Sequence, residues 1–166
     1  MTVEMLLQTL LLGVGATLLL DLWALLRKRL FATPALDYAL VGRWLGHMRH
    51  GQFRHAAIGK APGVRGERLL GWGFHYLTGV LFAGLFLVLV GPQWLCAPAP
   101  LAALAFGAAT VAAPLLLMQP AFGMGIAAAR TPAPWVARRR SLLSHLVFGA
   151  GLYLVALAVG GWGCAA

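Results

Sequence analysis

Charge is scarce in this chain, and acid is scarcer still. Only 10% of its 166 residues are Asp, Glu, Lys or Arg, and only four are acidic. Soluble domains carry about 25% charged residues, so the chain lacks the polar surface that a water-soluble globule needs. Disorder is excluded by the same scarcity, because disordered chains are polar and charge-rich. Cysteine is nearly missing too. Cys96 and Cys164 stand alone, too few for a cysteine-based metal site, although an oxidising compartment would allow a disulfide between them. No nucleotide-binding loop, lipidation box or nucleophile elbow is present, which argues against a Ser-His-Asp hydrolase.

What is present is apolar surface. Hydrophobic residues make up 61% of the chain, and its mean hydropathy is +0.83. Four stretches approach the ~20 residues of a spanning helix. They run over about residues 5–26, 69–90, 101–129 and 142–162, with Pro114, Gln119 and Pro120 interrupting the third. The expected fold is an all-α integral membrane protein. Residues 1–166 would form a single membrane domain of four transmembrane helices in an up-down bundle. Gly13, Gly15 and Thr17, Gly79, Ala83 and Gly84, and Gly149 with Gly151 supply small-residue surfaces for helix contact.

The basic residues fix a direction. All thirteen Lys and Arg fall in two loops, residues 27–68 and 130–141, while the ends and the turn at residues 91–100 have none. The positive-inside rule places both loops in the cytoplasm and both termini on the periplasmic side of a bacterial inner membrane. Glu4 precedes the first apolar stretch and Arg27, Lys28 and Arg29 follow it. That order is expected of a retained anchor rather than a cleaved signal peptide. A net charge of +9 would suggest nucleic acid in a soluble protein. Here the expected partners are membrane lipids with anionic headgroups, and no nucleic acid.

A loop of residues 27–68 is too long for a structureless connector. Thr33, Pro34 and Asp37 read as an N-cap, a first-turn proline and a first-turn acid. Leu36, Leu40, Val41, Trp44, Leu45 and Met48 then recur at helical spacing. The reading is an amphipathic interfacial helix from Thr33 to about His50, followed by an irregular basic segment at 54–68.

Polar groups inside spans are costly and therefore candidates for function. Asp21 lies ~9 Å along its helix from Arg27, His75 ~10 Å from Arg68, and His145 ~8 Å from Arg140. Gln119 lies deeper, ~16 Å from Arg130. Each span thus brings one polar side chain to the inner half of the membrane. Asp21 has no basic residue three or four positions away, and the C-terminal end of its helix disfavours its charge. It must be protonated, paired across helices or bound to a cation. His75 and His145 each also admit a structural role at the interface.

Several blocks in order carry a family likeness. They are Asp21-Leu22-Trp23, the run from Leu36 to His47, Gly66-Glu67, Gly71-Trp72, His75-Tyr76, Gln119-Pro120, the run from Gly125 to Pro132, and Ser144-His145. The pattern resembles domain of unknown function family 2938, small multi-span proteins of bacterial inner membranes. The resemblance implies a bacterial, helical membrane protein and supplies no reaction.

Three functions remain open at this level. One is a metal or haem site on His75, His145 and Asp21, with Gln119 as a further candidate catalytic group and a lipophilic substrate. His47, Glu67 and Arg130 would bind a substrate headgroup at its cytoplasmic mouth. Another is a small proton-coupled transporter using Asp21, which would call for a homodimer to enclose a path. The third is a non-catalytic membrane subunit.

Overall fold

In a computed structural model, residues 3–33 and 35–159 are described. They form helices α1 (Val3–Phe31), α2 (Tyr38–Met48), α3 (Glu67–Val90), α4 (Pro100–Thr110), α5 (Gln119–Ala121) and α6 (Pro134–Ala158), with no strand among the described residues. Four helical segments are long and apolar enough to cross a membrane: Val3–Phe31, Glu67–Val90, Pro100–Ala121 and Pro134–Ala158. Along α1 the residues turned inward include Leu12, Gly13, Ala16 and Thr17, whereas Leu6, Leu18, Leu22 and Leu30 are exposed. Small residues inside and leucines outside are the pattern of a helix solvated by lipid.

The third and fourth spans differ from their expected limits. The third ends at Ala121 rather than 129, because Gly123 and Gly125 take φ values of +88° and +75°. Composition reads residues 122–129 as apolar, but backbone in that conformation cannot continue a right-handed helix. Within the span, Pro114 has no N–H, and the Gln119 N–H reaches back five residues to the Pro114 carbonyl in a π turn. The helix of the fourth span begins at Pro134, eight residues before the apolar stretch that starts at 142. Proline suits a first helical turn, and the helix carries the Arg138–Arg140 cluster within it.

The loop helix is also shorter than expected. Asp37 is its N-cap, with extended backbone and Oδ1 accepting the Ala39 N–H at 3.0 Å. The Thr33 hydroxyl instead donates to the Phe31 carbonyl, 3.4 Å away. Pro34 and Cys164 lie outside the described residues, and Cys96 is not a free thiol.

The chain forms two compact units. The first comprises the described parts of Met1–Pro34, Tyr76–Thr110 and Ser144–Ala166. Inside it α1 meets α3 where Gly13 lies against Val80 and Gly79 against Thr17. It meets α6 where Gly151 lies against Ala16 and Gly15 against Val155. Helix α4 meets α6 at Gly107 and Gly149, and meets α3 through Phe106, whose ring centroid is 5.2 Å from that of Phe86. Fully buried Leu12, Phe86 and Leu152 fill the core.

The second unit is Ala35–His75 with Val111–Leu143. Val41, Ile58, Ala121 and Phe122 make its core, flanked by Trp44, Leu45 and Met118. The apolar face of α2 therefore has protein against it. The segment read as irregular contains a short 3-10 turn, Ile58–Lys60, and is tied by main-chain bonds. The His55 N–H donates to the Ala121 carbonyl at 2.9 Å and the Ile58 N–H to the Phe122 carbonyl at 3.2 Å.

Candidate functional site

Of the four span residues proposed for one site, Asp21 and His145 fall in the first unit, and His75 and Gln119 in the second. Each has acquired a specific partner.

Asp21 is paired across helices. The Tyr76 hydroxyl on α3 donates to Asp21 Oδ2 at 2.8 Å. The close crossing of α1 and α3 at Gly13 and Gly79 brings the two backbones near enough for this pair. A phenol donating to a carboxylate makes a strong hydrogen bond, and one that offsets part of the carboxylate's desolvation.

His145 sits at a close approach of α4 and α6. A Cβ on Gly107 would come 2.5 Å from the His145 carbonyl, and one on Gly149 2.5 Å from the Ala103 carbonyl. One turn beyond Gly107, the Thr110 hydroxyl lies 2.8 Å from His145 Nδ1 and donates to the Gly107 carbonyl at 2.7 Å.

In the second unit, Gln119 is 4% exposed. Its Nε2 donates to Ser141 Oγ on α6 at 3.2 Å, while its Oε1 is buried with no hydrogen bond. His75 is stacked on Tyr38 at a centroid distance of 4.1 Å and meets Trp72 edge-on at 5.8 Å. The imidazole is thus one ring of an aromatic trio, since Tyr38 and Trp72 are also in contact at 4.7 Å.

The residues expected at the cytoplasmic mouth have varied surroundings. Glu67 accepts from one guanidinium edge of Arg43, at 2.9 Å from Nε and 2.8 Å from Nη2, and accepts the Val64 N–H at 2.9 Å. Nη1 of Arg43 donates to the carbonyls of Ala61 at 3.0 Å and Ile58 at 3.4 Å. Glu67 raises the Arg43 pKa above its ordinary value by accepting from Nε and Nη2, against a smaller opposing effect of burial. His47 Nδ1 lies 2.7 Å from His55 Nε2. Burial holds the His55 imidazole below its ordinary pKa, the neighbouring His47 lowers it further, and the Ala121 carbonyl opposes both. Arg130 is exposed, and its N–H closes a turn onto the Met124 carbonyl at 2.8 Å.

Tyr76, Thr110, Arg43 and His55 were not singled out from sequence. Tyr76 and Arg43 lie inside the motif blocks, which was the available signal. Thr110 is a neutral residue in a long apolar run, and nothing in the sequence set it apart. Among the described residues, no group of three or more His, Cys, Asp or Glu comes together to hold a metal ion.

Neither a curated protein nor a solved structure matches the chain. A family model described as "Protein of unknown function (DUF2938)" matches residues 10–159. With most of its length covered by that model, the chain belongs to the DUF2938 family.

Proposed function

We propose that this multi-span membrane protein exchanges protons at a polar site in the cytoplasmic half of a bacterial inner membrane, as part of a small proton-coupled carrier. The spans form one up-down membrane domain with both termini periplasmic, α2 lies at the inner headgroup layer, and anionic lipids contact the basic loops. A homodimer supplies the enclosed path that four spans alone cannot.

The observation that carries the reading is the hydrogen bond from Tyr76 to Asp21. A carboxyl in a span is expensive unless it is neutralised or paired, and such groups mark proton and ion pathways. The phenolic donor lowers that cost by hydrogen bonding across two helices, and proton exchange at the carboxyl is the proposed use of the pair. His145 places a second proton-exchanging group in the same unit. The metal or haem reading has less support, because among the described residues no three His, Cys, Asp or Glu come together to hold an ion.

Infrared difference spectra of the full chain in lipid vesicles, recorded between about pH 5 and pH 9, test the proposal. A carboxylic-acid band that titrates in wild type and disappears in Asp21→Asn supports it. The absence of any Asp21 signal across that range overturns it. Elemental analysis of the same preparation tests the metal reading, and periplasmic and cytoplasmic reporter fusions at the C-terminus test the orientation.

A further inference from the structure

Two hydrogen bonds meet at the Thr110 hydroxyl, and a count of protons decides how they are made. Oγ1 is 2.7 Å from the Gly107 carbonyl oxygen and 2.8 Å from His145 Nδ1. Each short contact needs one proton between its two atoms, and the hydroxyl supplies only one. The carbonyl oxygen has none to give, so the Thr110 proton points at Gly107. The proton in the second bond then resides on Nδ1. The opposite choice would set two oxygen lone pairs against each other at a threonine that is 8% exposed, where a lost hydrogen bond is costly.

We infer that Thr110 is a positioning residue that holds neutral His145 as its Nδ1–H tautomer and so presents Nε2 as the proton-accepting atom. The Gly107 and Gly149 contacts bring the two backbones together at this point, so the pair is set by helix packing as well as by the hydrogen bond. Among the described residues, Nε2 of His145 has no hydrogen-bond partner. When Nε2 takes a proton, Nδ1 keeps its own, and the bond to Thr110 persists unchanged. The ring can therefore pass between its neutral and charged forms without reorienting. The group it is built to meet is a hydrogen-bond donor such as water, a hydroxyl or a carboxylic acid. Its use in proton exchange rests on the function proposed above, whereas the tautomer does not.

The test is solid-state nitrogen NMR of the full chain, labelled with nitrogen-15 histidine and reconstituted in lipid. The chain has five histidines, and His145→Gln identifies the signals of interest by subtraction. At about pH 8, where an ordinary imidazole is neutral, a protonated Nδ1 and a bare Nε2 are expected. Acidification should shift Nε2 alone. Thr110→Val should lose the tautomer preference and Thr110→Ser should restore it. A wild-type His145 carrying its proton on Nε2 overturns the inference, and so does an unchanged tautomer in folded Thr110→Val. Should Thr110→Val fail to fold, the wild-type tautomer decides alone. A silent Asp21 in the infrared experiment would remove the proton-carrier reading and leave this result standing.

Discussion

Gly42 on α2 and Gly71 on α3 face each other with no side chain between their backbones. A Cβ on Gly42 would strike the Glu67 carbonyl and lie 2.7 Å from the Gly71 nitrogen, while one on Gly71 would strike the Tyr38 carbonyl. Because both obstacles are backbone, neither can swing aside.

Replacing either glycine by alanine should destabilise the second unit by ~1–3 kcal/mol or more, the range of overpacked cores. The double variant should fall short of the sum, since both changes separate the same pair of helices. Gly73→Ala is the control. Nothing lies within 4 Å of its Cβ position, and helix propensity alone predicts a gain of roughly 0.5–1 kcal/mol. Unfolding in detergent followed by tryptophan fluorescence compares the four variants.

Arg43 should be irreplaceable by lysine. It joins Glu67 through two nitrogens and the loop carbonyls through a third, a fork that an ammonium group cannot reproduce. Arg43→Lys and Arg43→Ala should each open the loop to trypsin at Arg54, Lys60 and Arg65. Cleavage in these variants at the wild-type rate would show that other contacts hold the segment.

Stability should fall in mild acid through His55. Its pKa lies below the ordinary 6.5 because it is buried beside His47. Between the folded value and 6.5 the unfolded chain binds more protons, so stability rises with pH through that window. The contribution is complete above 6.5 and lost as pH falls toward the folded value. Thermal midpoints measured against pH should show this slope in wild type and a shallower one in His55→Gln.

Tyr76→Phe should cost ~1–3 kcal/mol, because it leaves a carboxyl within the membrane short of one donor. Asp21→Asn keeps a carbonyl oxygen able to accept from the phenol and should cost less. Equal losses in a thermal unfolding series would place the stabilising contact elsewhere.

The spans were legible because hydropathy over 20 residues reports burial in lipid directly. Their ends were less so. Residues 122–129 are apolar enough to pass for membrane, and the positive φ of Gly123 and Gly125 has no signature in hydropathy. Asp21 and His145 stood out as costly groups in apolar runs. Tyr76 and Thr110 did not, because they lie 55 and 35 residues from their partners, and helix register sets those meetings. The loop's order was hidden for another reason. It comes from one guanidinium and two main-chain N–H groups bonded to carbonyls, and main-chain acceptors leave no trace in residue type.

The main-chain ties of that loop also set a schedule for synthesis. His55 and Ile58 have their acceptors at Ala121 and Phe122. These leave the ribosome about 65 residues later, a delay of roughly 3–13 seconds at ~5–20 residues per second. Through that interval the nascent segment has Arg43 and Glu67 to shape it but not its core neighbour Phe122. Completion of the second unit therefore waits on the third span. A chain truncated before Ala121 would leave a basic segment exposed to proteases and chaperones at the membrane surface.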